Sequence, residues 1–208
     1  INDHFAELLV GQNVMATEKT WDMMRRASSA HGTSGIQSYA ISAVDNAIWD
    51  LKGKLLGKPV YELLGGPVKE NIFCYASNTM LKYKTSDYMD WFLELGFKAV
   101  KVFLRHGPDE GLSGLNKNVD IVAKTREQIG PDIELAVDSW MSLNIEYAVR
   151  ISEALKPYNI KWLEDYMLPE DMDSYAKLRQ RVPGQTLATG EHWYTIHPFA
   201  AVSYTPHR

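Results

Sequence analysis

The chain has 208 residues, of which 45% are apolar and 23% charged. That length and apolar content suffice for a sizeable core, which excludes a disordered chain. The net charge is −4 and the basic residues are scattered, so we expect no nucleic-acid partner. No apolar run is long enough for a membrane span and no signal peptide is recognisable, so we also expect no membrane partner and a cytoplasmic location.

The first part of the chain predicts helices. Apolar residues recur at helical spacing over three stretches, at 4–10, 17–27 and 37–56. Gly57, followed by Pro59, predicts the end of the third helix. The segment from Leu63 to Val68 contains a Gly-Gly pair and predicts a break. We therefore divide the chain into a helical part, residues 1–68, and a second part, residues 69–208.

The second part alternates between strand and helix patterns. Five apolar runs predict strands, at 71–76, 99–104, 133–138, 160–164 and 186–190. Helical patterns lie between them, at about 85–95, 114–129, 143–156 and 170–181. Continuous apolar runs indicate a parallel sheet covered by helices on both faces. The only cysteine, Cys74, falls in the first run and is predicted to be a buried strand thiol.

Three acidic residues end three successive strand runs. Asp138, Glu164 and Glu191 are separated by 26 and 27 residues, the length of one strand-helix unit. Carboxylates at the same end of parallel strands converge and repel one another, and a divalent cation relieves that repulsion. Oxygen ligands favour Mg²⁺, with Mn²⁺ as an alternative, and no His-Glu-x-x-His motif supports zinc. Asp165 follows a predicted ligand and is turned away from it by strand alternation, so we expect it to support a neighbour or cap a helix.

Strand-helix alternation suits either a doubly wound sheet or a TIM barrel. Functional groups at one end of successive strands, and the absence of a glycine-rich dinucleotide loop, favour the barrel. Five strands cannot close an eight-stranded barrel. The predicted fold class is therefore α/β, with strands one to five of a TIM-type barrel, and we expect such a piece to be inactive and prone to aggregation by itself.

The segment from Ser42 to Lys54, continuing through Gly57 to Gly66, resembles the capping domain of the enolase superfamily, mandelate racemase subgroup. A closer resemblance, to the L-rhamnonate dehydratases, lies in the segments 101–111, 162–165 and 190–195. The resemblance implies an α+β cap before a (β/α)₇β barrel, with metal ligands ending strands three to five, where Asp138, Glu164 and Glu191 fall. It also implies an oligomeric enzyme in its intact form.

The implied reaction is the Mg²⁺-dependent dehydration of an acid sugar to a 2-keto-3-deoxy acid through an enediolate intermediate. Lys101 and His192 are candidate contacts to the substrate. The alternatives are that Lys101 neutralises a metal ligand or forms a salt bridge within the barrel, and that His192 has a purely structural role. Many relatives carry a second lysine as a base where this chain has Phe103, which argues against a racemase and agrees with dehydratases that use a His-Asp dyad, expected beyond Arg208. Two alternatives stay open: a dehydratase for galactonate, mannonate or fuconate, and a non-catalytic fragment or pseudoenzyme.

Overall fold

The computed structural model describes residues 1–32, 34–77 and 85–203. The chain forms two compact units. One comprises Ile1–Ile72 with Tyr194–His197, and the other comprises Phe73–Trp193 with the chain from Pro198 onward. The assignment of residues 1–68 to a cap and 69–208 to a barrel stays a prediction.

The first unit is helical. Its helices are α1 (Ala6–Leu9), α2 (Thr17–Ser28), α3 (Ile36–Leu56) and α4 (Val60–Leu63). Phe5, Met24 and Ile41 form its buried apolar cluster. The predicted end of α3 is confirmed, because Gly57 adopts a left-handed conformation with φ of +63° and donates its N–H to carbonyls of the last turn.

Over its described residues, the second unit contains a parallel sheet of five strands in chain order. The strands are β1 (Ala76–Ser77), β2 (Ala99–Phe103), β3 (Glu134–Asp138), β4 (Ile160–Glu164) and β5 (Leu187–Ala188). Between and after them lie α5 (Thr85–Glu94), α6 (Gly111–Ile129), α7 (Ile145–Leu155), α8 (Met172–Arg181) and α9 (His197–Ser203). The predicted alternation of parallel strands with helices is confirmed.

The core of this unit lies where the strands meet their covering helices. Val100, Leu135 and Leu163 come from successive strands, and Ile151 and Leu178 from helices, and all five side chains are fully buried. Strands covered in this way are apolar along most of their length, which explains the nearly continuous apolar runs of the sequence. Within the described residues, no helix is both long and apolar enough to cross a membrane.

The first and fifth strands differ from their predictions. Residues 71–75 are exposed and lie outside any strand, and the prediction of a buried Cys74 was wrong, because Cys74 is exposed. Register explains why the earlier residues form no strand: Ala76 pairs with Val100 and β2 begins at Ala99, so residues 71–74 lie before the start of β2. The fifth strand is also shorter than predicted and ends at Ala188.

Candidate metal and substrate site

A lysine bridges two strand-end carboxylates at the C-terminal edge of the sheet. The Nζ atom of Lys101, on β2, lies 3.0 Å from Oδ2 of Asp138 and 2.7 Å from Oε1 of Glu164. Asp138 pairs with Glu164 in the register of β3 and β4, which places both carboxylates at the same edge. The predicted convergence of these two residues is therefore found, with an ammonium group between them.

The remaining oxygens of the two carboxylates also accept hydrogen bonds. The backbone N–H of Trp140 donates to Oδ1 of Asp138 over 2.9 Å, and the indole N–H of Trp162 donates to Oε2 of Glu164 over 2.6 Å. Each carboxylate thus has a fixed orientation, as a preformed ligand site requires.

Burial makes this cluster electrostatically strong. Lys101 is 5% exposed and Asp138 only 1%. Burial alone lowers the pKa of the Lys101 ammonium, but its hydrogen bonds to Glu164 and Asp138 outweigh burial and raise that pKa. Burial raises the pKa of Asp138 and the charge of Glu164 adds to it, against the opposing effects of Lys101 and the Trp140 N–H. The ammonium therefore stays charged and holds two carboxylates that would otherwise repel.

Aromatic rings surround the ammonium group. The rings of Tyr75 and Phe103 have their centroids 5.4 and 5.6 Å from the Lys101 Nζ, within the range of cation–π attraction. The sequence analysis placed Phe103 at the position where the family resemblance implies a basic lysine. Its ring stabilises the Lys101 charge but cannot accept a proton.

A second pair lies beside the first. The Nδ1 atom of His192 lies 2.6 Å from Oδ2 of Asp165, and the hydroxyl of Thr189 donates to Oδ1 of Asp165 over 3.2 Å. Asp165 is 1% exposed. It supports a neighbouring side chain, which is one of its two expected roles. The other role, capping the next helix, is filled by Asp171, which accepts the N–H of Ser174 at the start of α8.

Glu191 lies apart from the strand that it was expected to end. It follows the last residue of β5, Ala188, by three positions and lies in a turn. Among the described residues, the group with three possible metal-ligand atoms within 4.8 Å of one another consists of Asp165, Glu191 and His192. Burial raises the pKa of Glu191, and repulsion from Asp165 and Asp138 adds to it. The ligand set of Asp138, Glu164 and Glu191 stays a prediction.

A buried asparagine fixes the loop that follows β2. The Oδ1 atom of Asn118, on α6, accepts the backbone N–H groups of Arg105 and His106, over 3.0 and 3.2 Å. Its Nδ2 donates to the His106 carbonyl over 2.7 Å and to the Tyr147 hydroxyl over 3.0 Å. The sequence analysis missed Asn118, because a single asparagine in a helical pattern carries no signal.

The Asp165–His192 pair was also missed, although the sequence contains a signal for it. These residues directly follow Glu164 and Glu191 and are separated by the same 27 positions. A repeat that brings two strand ends together also brings the next residues together.

The parallel strands alternate with helices and carry a lysine–carboxylate cluster at their C-terminal edge. This arrangement is part of a TIM-type barrel, in which sites lie at the C-terminal ends of the strands. The family described as "Enolase C-terminal domain-like" matches residues 86–204, and the family "Mandelate racemase / muconate lactonizing enzyme, N-terminal domain" matches residues 1–65. The chain belongs to the mandelate racemase subgroup of the enolase superfamily.

Several characterised proteins are similar to this chain. An L-rhamnonate dehydratase from Saccharopolyspora erythraea is 44% identical over 200 residues, which are 96% of this chain and 49% of that protein. The crystal structure of L-rhamnonate dehydratase from Gibberella zeae has a TM-score of 0.85 at 36% identity and covers 97% of this chain and 49% of that one. A structure described as rhamnonate dehydratase from the same organism complexed with Mg has a TM-score of 0.84 at 37% identity and covers 95% of this chain and 47% of that one. The chain spans about half the length of these relatives.

Proposed function

We propose that the protein containing this chain is a divalent-metal-dependent hydro-lyase. It removes water from an acid sugar, L-rhamnonate or a similar aldonate, and releases a 2-keto-3-deoxy acid. The observation that carries this proposal is the buried Lys101–Asp138–Glu164 cluster at the C-terminal edge of the sheet. The similarity to L-rhamnonate dehydratases supports the substrate class.

Asp138, Glu164 and Glu191 would hold the metal, Mg²⁺ or Mn²⁺. These residues fit a hard dication, because they offer only oxygen ligands and carry three negative charges against the single positive charge of Lys101. The relative described with Mg supports this choice. When bound, the cation supplies the positive charge that makes loss of a proton next to a carboxylate feasible.

Lys101 and His192 would bind the substrate. The Lys101 ammonium is kept charged by its two carboxylate partners. Because the Lys101–Asp138–Glu164 cluster has a net negative charge, Lys101 would bind the carboxylate of an acid sugar only together with the metal ion. The ring of His192 lies beside this cluster and is 18% exposed in its side chain, so it can contact a sugar hydroxyl. Phe103 cannot serve as a base, and proton abstraction to the enediolate is assigned to the His-Asp dyad that the family resemblance implies outside this chain.

The metal assignment is tested by calorimetry on the full-length protein. Glu164→Gln removes one negative charge and one ligand, and we expect Mg²⁺ binding to be lost. Glu170→Gln makes the same change at an exposed position and should leave binding intact. Tight Mg²⁺ binding by the Glu164→Gln variant would refute the assignment.

The substrate is tested with a panel of aldonic acids and an assay for keto product. We expect L-rhamnonate to give the highest kcat/KM. A preference for galactonate, mannonate or fuconate would keep the reaction and change the substrate. No keto product from any member of the panel would instead favour a non-catalytic protein.

A further inference from the structure

We propose that Asp165 is a positioning residue that fixes the tautomer and orientation of His192, so that Nε2 of His192 accepts a hydrogen bond from a hydroxyl of the bound sugar acid. The geometry of the Asp165–His192 pair carries the positioning part of the proposal. The identity of the ligand as a sugar acid rests on the proposed function.

The backbone of Asp165 is held in an uncommon conformation. Its φ is +47°, in the left-handed region, where Asp and Asn are the most tolerated residues after glycine. Its N–H donates to the carbonyl of Ala188 over 3.0 Å, and its own carbonyl accepts the N–H of Met141. The turn at the end of β4 is therefore fixed from two sides, and it presents the Asp165 carboxylate to the residues that follow β5.

The carboxylate of Asp165 selects one tautomer of His192. A carboxylate can only accept hydrogen bonds, and the 2.6 Å contact between Oδ2 and Nδ1 therefore requires the ring proton on Nδ1. The other oxygen, Oδ1, is occupied by the hydroxyl of Thr189, which prevents free rotation of the carboxylate. In the neutral ring, Nε2 then carries a lone pair and can accept.

The second nitrogen of His192 is available to a ligand. Within the described part of the chain, no group hydrogen-bonds to Nε2. The ring of Trp140 lies edge-on to the His192 ring at a centroid distance of 6.3 Å, and it limits how the imidazole can turn. A sugar acid presents several hydroxyl donors, and an acceptor fixed at the sheet edge would distinguish among them by position.

The positioning role is tested by NMR on the full-length protein labelled with ¹⁵N-histidine. The His192 signals are assigned with a His192→Gln variant. In the unmodified protein, at a pH where the ring is neutral, we expect the proton on Nδ1. In Asp165→Asn the side chain can present either its oxygen or its NH₂ group to Nδ1, so we expect a mixture of tautomers. Asparagine tolerates the left-handed backbone, which keeps the fold intact.

Asp171→Asn is the matched control. Asp171 caps α8, asparagine caps helices equally well, and we expect no change in the His192 spectrum. A ring protonated on Nε2 in the unmodified protein, or an unchanged Nδ1 tautomer in Asp165→Asn, would overturn the positioning role.

The hydroxyl contact is tested by kinetics on the same variants. Loss of one fixed hydrogen bond should raise KM for the sugar acid about tenfold in Asp165→Asn, with a smaller change in kcat. A changed tautomer with an unchanged KM would overturn the contact to the substrate. Failure of the unmodified protein to convert any sugar acid would refute the proposed function and leave the NMR result standing for the Asp165–His192 pair.

Discussion

Single residues decide how this sheet edge can hold so much negative charge. Lys101 places one ammonium between Asp138 and Glu164. Lys101 and Asp138 are almost fully buried, and Glu164 is partly exposed. Removing one partner of a buried ion pair costs far more than the pair contributes, because the remaining charges lose both water and counterion. Lys101 consequently stabilises the folded state, in addition to its proposed role in binding a substrate carboxylate.

We predict that Lys101→Met destabilises the full-length protein by about 3–5 kcal/mol in the absence of metal. Mg²⁺ should stabilise this variant more than the unmodified protein, because the dication then provides the only positive charge between the two carboxylates. Urea denaturation with and without Mg²⁺ measures both effects. Lys161→Met removes an exposed ion pair with Glu134 and should change stability by about 0.5 kcal/mol or less. If Mg²⁺ stabilised Lys101→Met and the unmodified protein equally, this account of Lys101 would be contradicted.

Asn118 has a comparable effect on the loop after β2. Asn118→Ala leaves two backbone N–H groups, one carbonyl and the Tyr147 hydroxyl without this partner. We predict a loss of about 2–3 kcal/mol in the free energy of unfolding, because four hydrogen bonds that fix the loop are lost, although the Tyr147 hydroxyl still donates to the His106 carbonyl. Thermal denaturation measures this loss of stability. The control is Asn116→Ala, at an exposed position on the same helix. Similar losses in both variants would show that helix propensity, and not the loop contacts, is responsible.

At the scale of elements, the sequence predicted helices and central strands well and edge strands poorly. The apolar spacing over 37–56 predicted α3 to within one residue at its start, and the run over 160–164 predicted β4 at both ends. These patterns record burial on defined faces, and burial is what forms the elements. Residues 71–74 have a suitable composition but lie before the start of the neighbouring strand, and composition alone cannot provide a partner.

The candidate site was predictable to a similar extent. The repeat of strand-helix units brought Asp138 and Glu164 together, because parallel strands place their ends at one edge. Two features were not settled by the sequence: whether Lys101 forms a salt bridge within the barrel or contacts the substrate, which depends on how far its side chain reaches, and the turn after β5, which moves Glu191 beyond the strand end. Side-chain reach and turn geometry are three-dimensional properties that a spacing pattern does not encode.

Helix α7 offers a prediction at this scale. Its N-cap residue, Asn144, accepts the backbone N–H of Tyr147 over 2.9 Å. We predict that Asn144→Ala lowers stability by about 1 kcal/mol and that Asn144→Asp has almost no effect, because aspartate caps helices as well as asparagine. Chemical denaturation of the two variants measures the difference. Equal losses in both would mean that Asn144 acts through a contact other than the cap.

At the scale of the whole molecule, the arrangement of charge follows from the topology of the sheet. The strands that the structure describes in the second unit are all parallel, so the residues at their C-terminal ends lie at one edge of the sheet. At this edge, one ammonium group and one imidazole lie among four carboxylates, those of Asp138, Glu164, Asp165 and Glu191. This concentration of acid is the property that makes a bound dication stabilising for the molecule as a whole.

A bound dication should therefore raise the global stability of the protein. A ligand at a hundred times its Kd adds about 2.7 kcal/mol to the free energy of unfolding, and we predict that a chelator lowers the Tm of the full-length protein while Mg²⁺ restores it. The variants distinguish the two groups of possible ligands at this edge. Asp138→Asn and Glu164→Gln should lose the response to Mg²⁺, whereas Asp165→Asn should keep it, because Asp165 supports His192 in our account. The opposite pattern would place the metal among Asp165, Glu191 and His192, whose ligand atoms lie within 4.8 Å of one another.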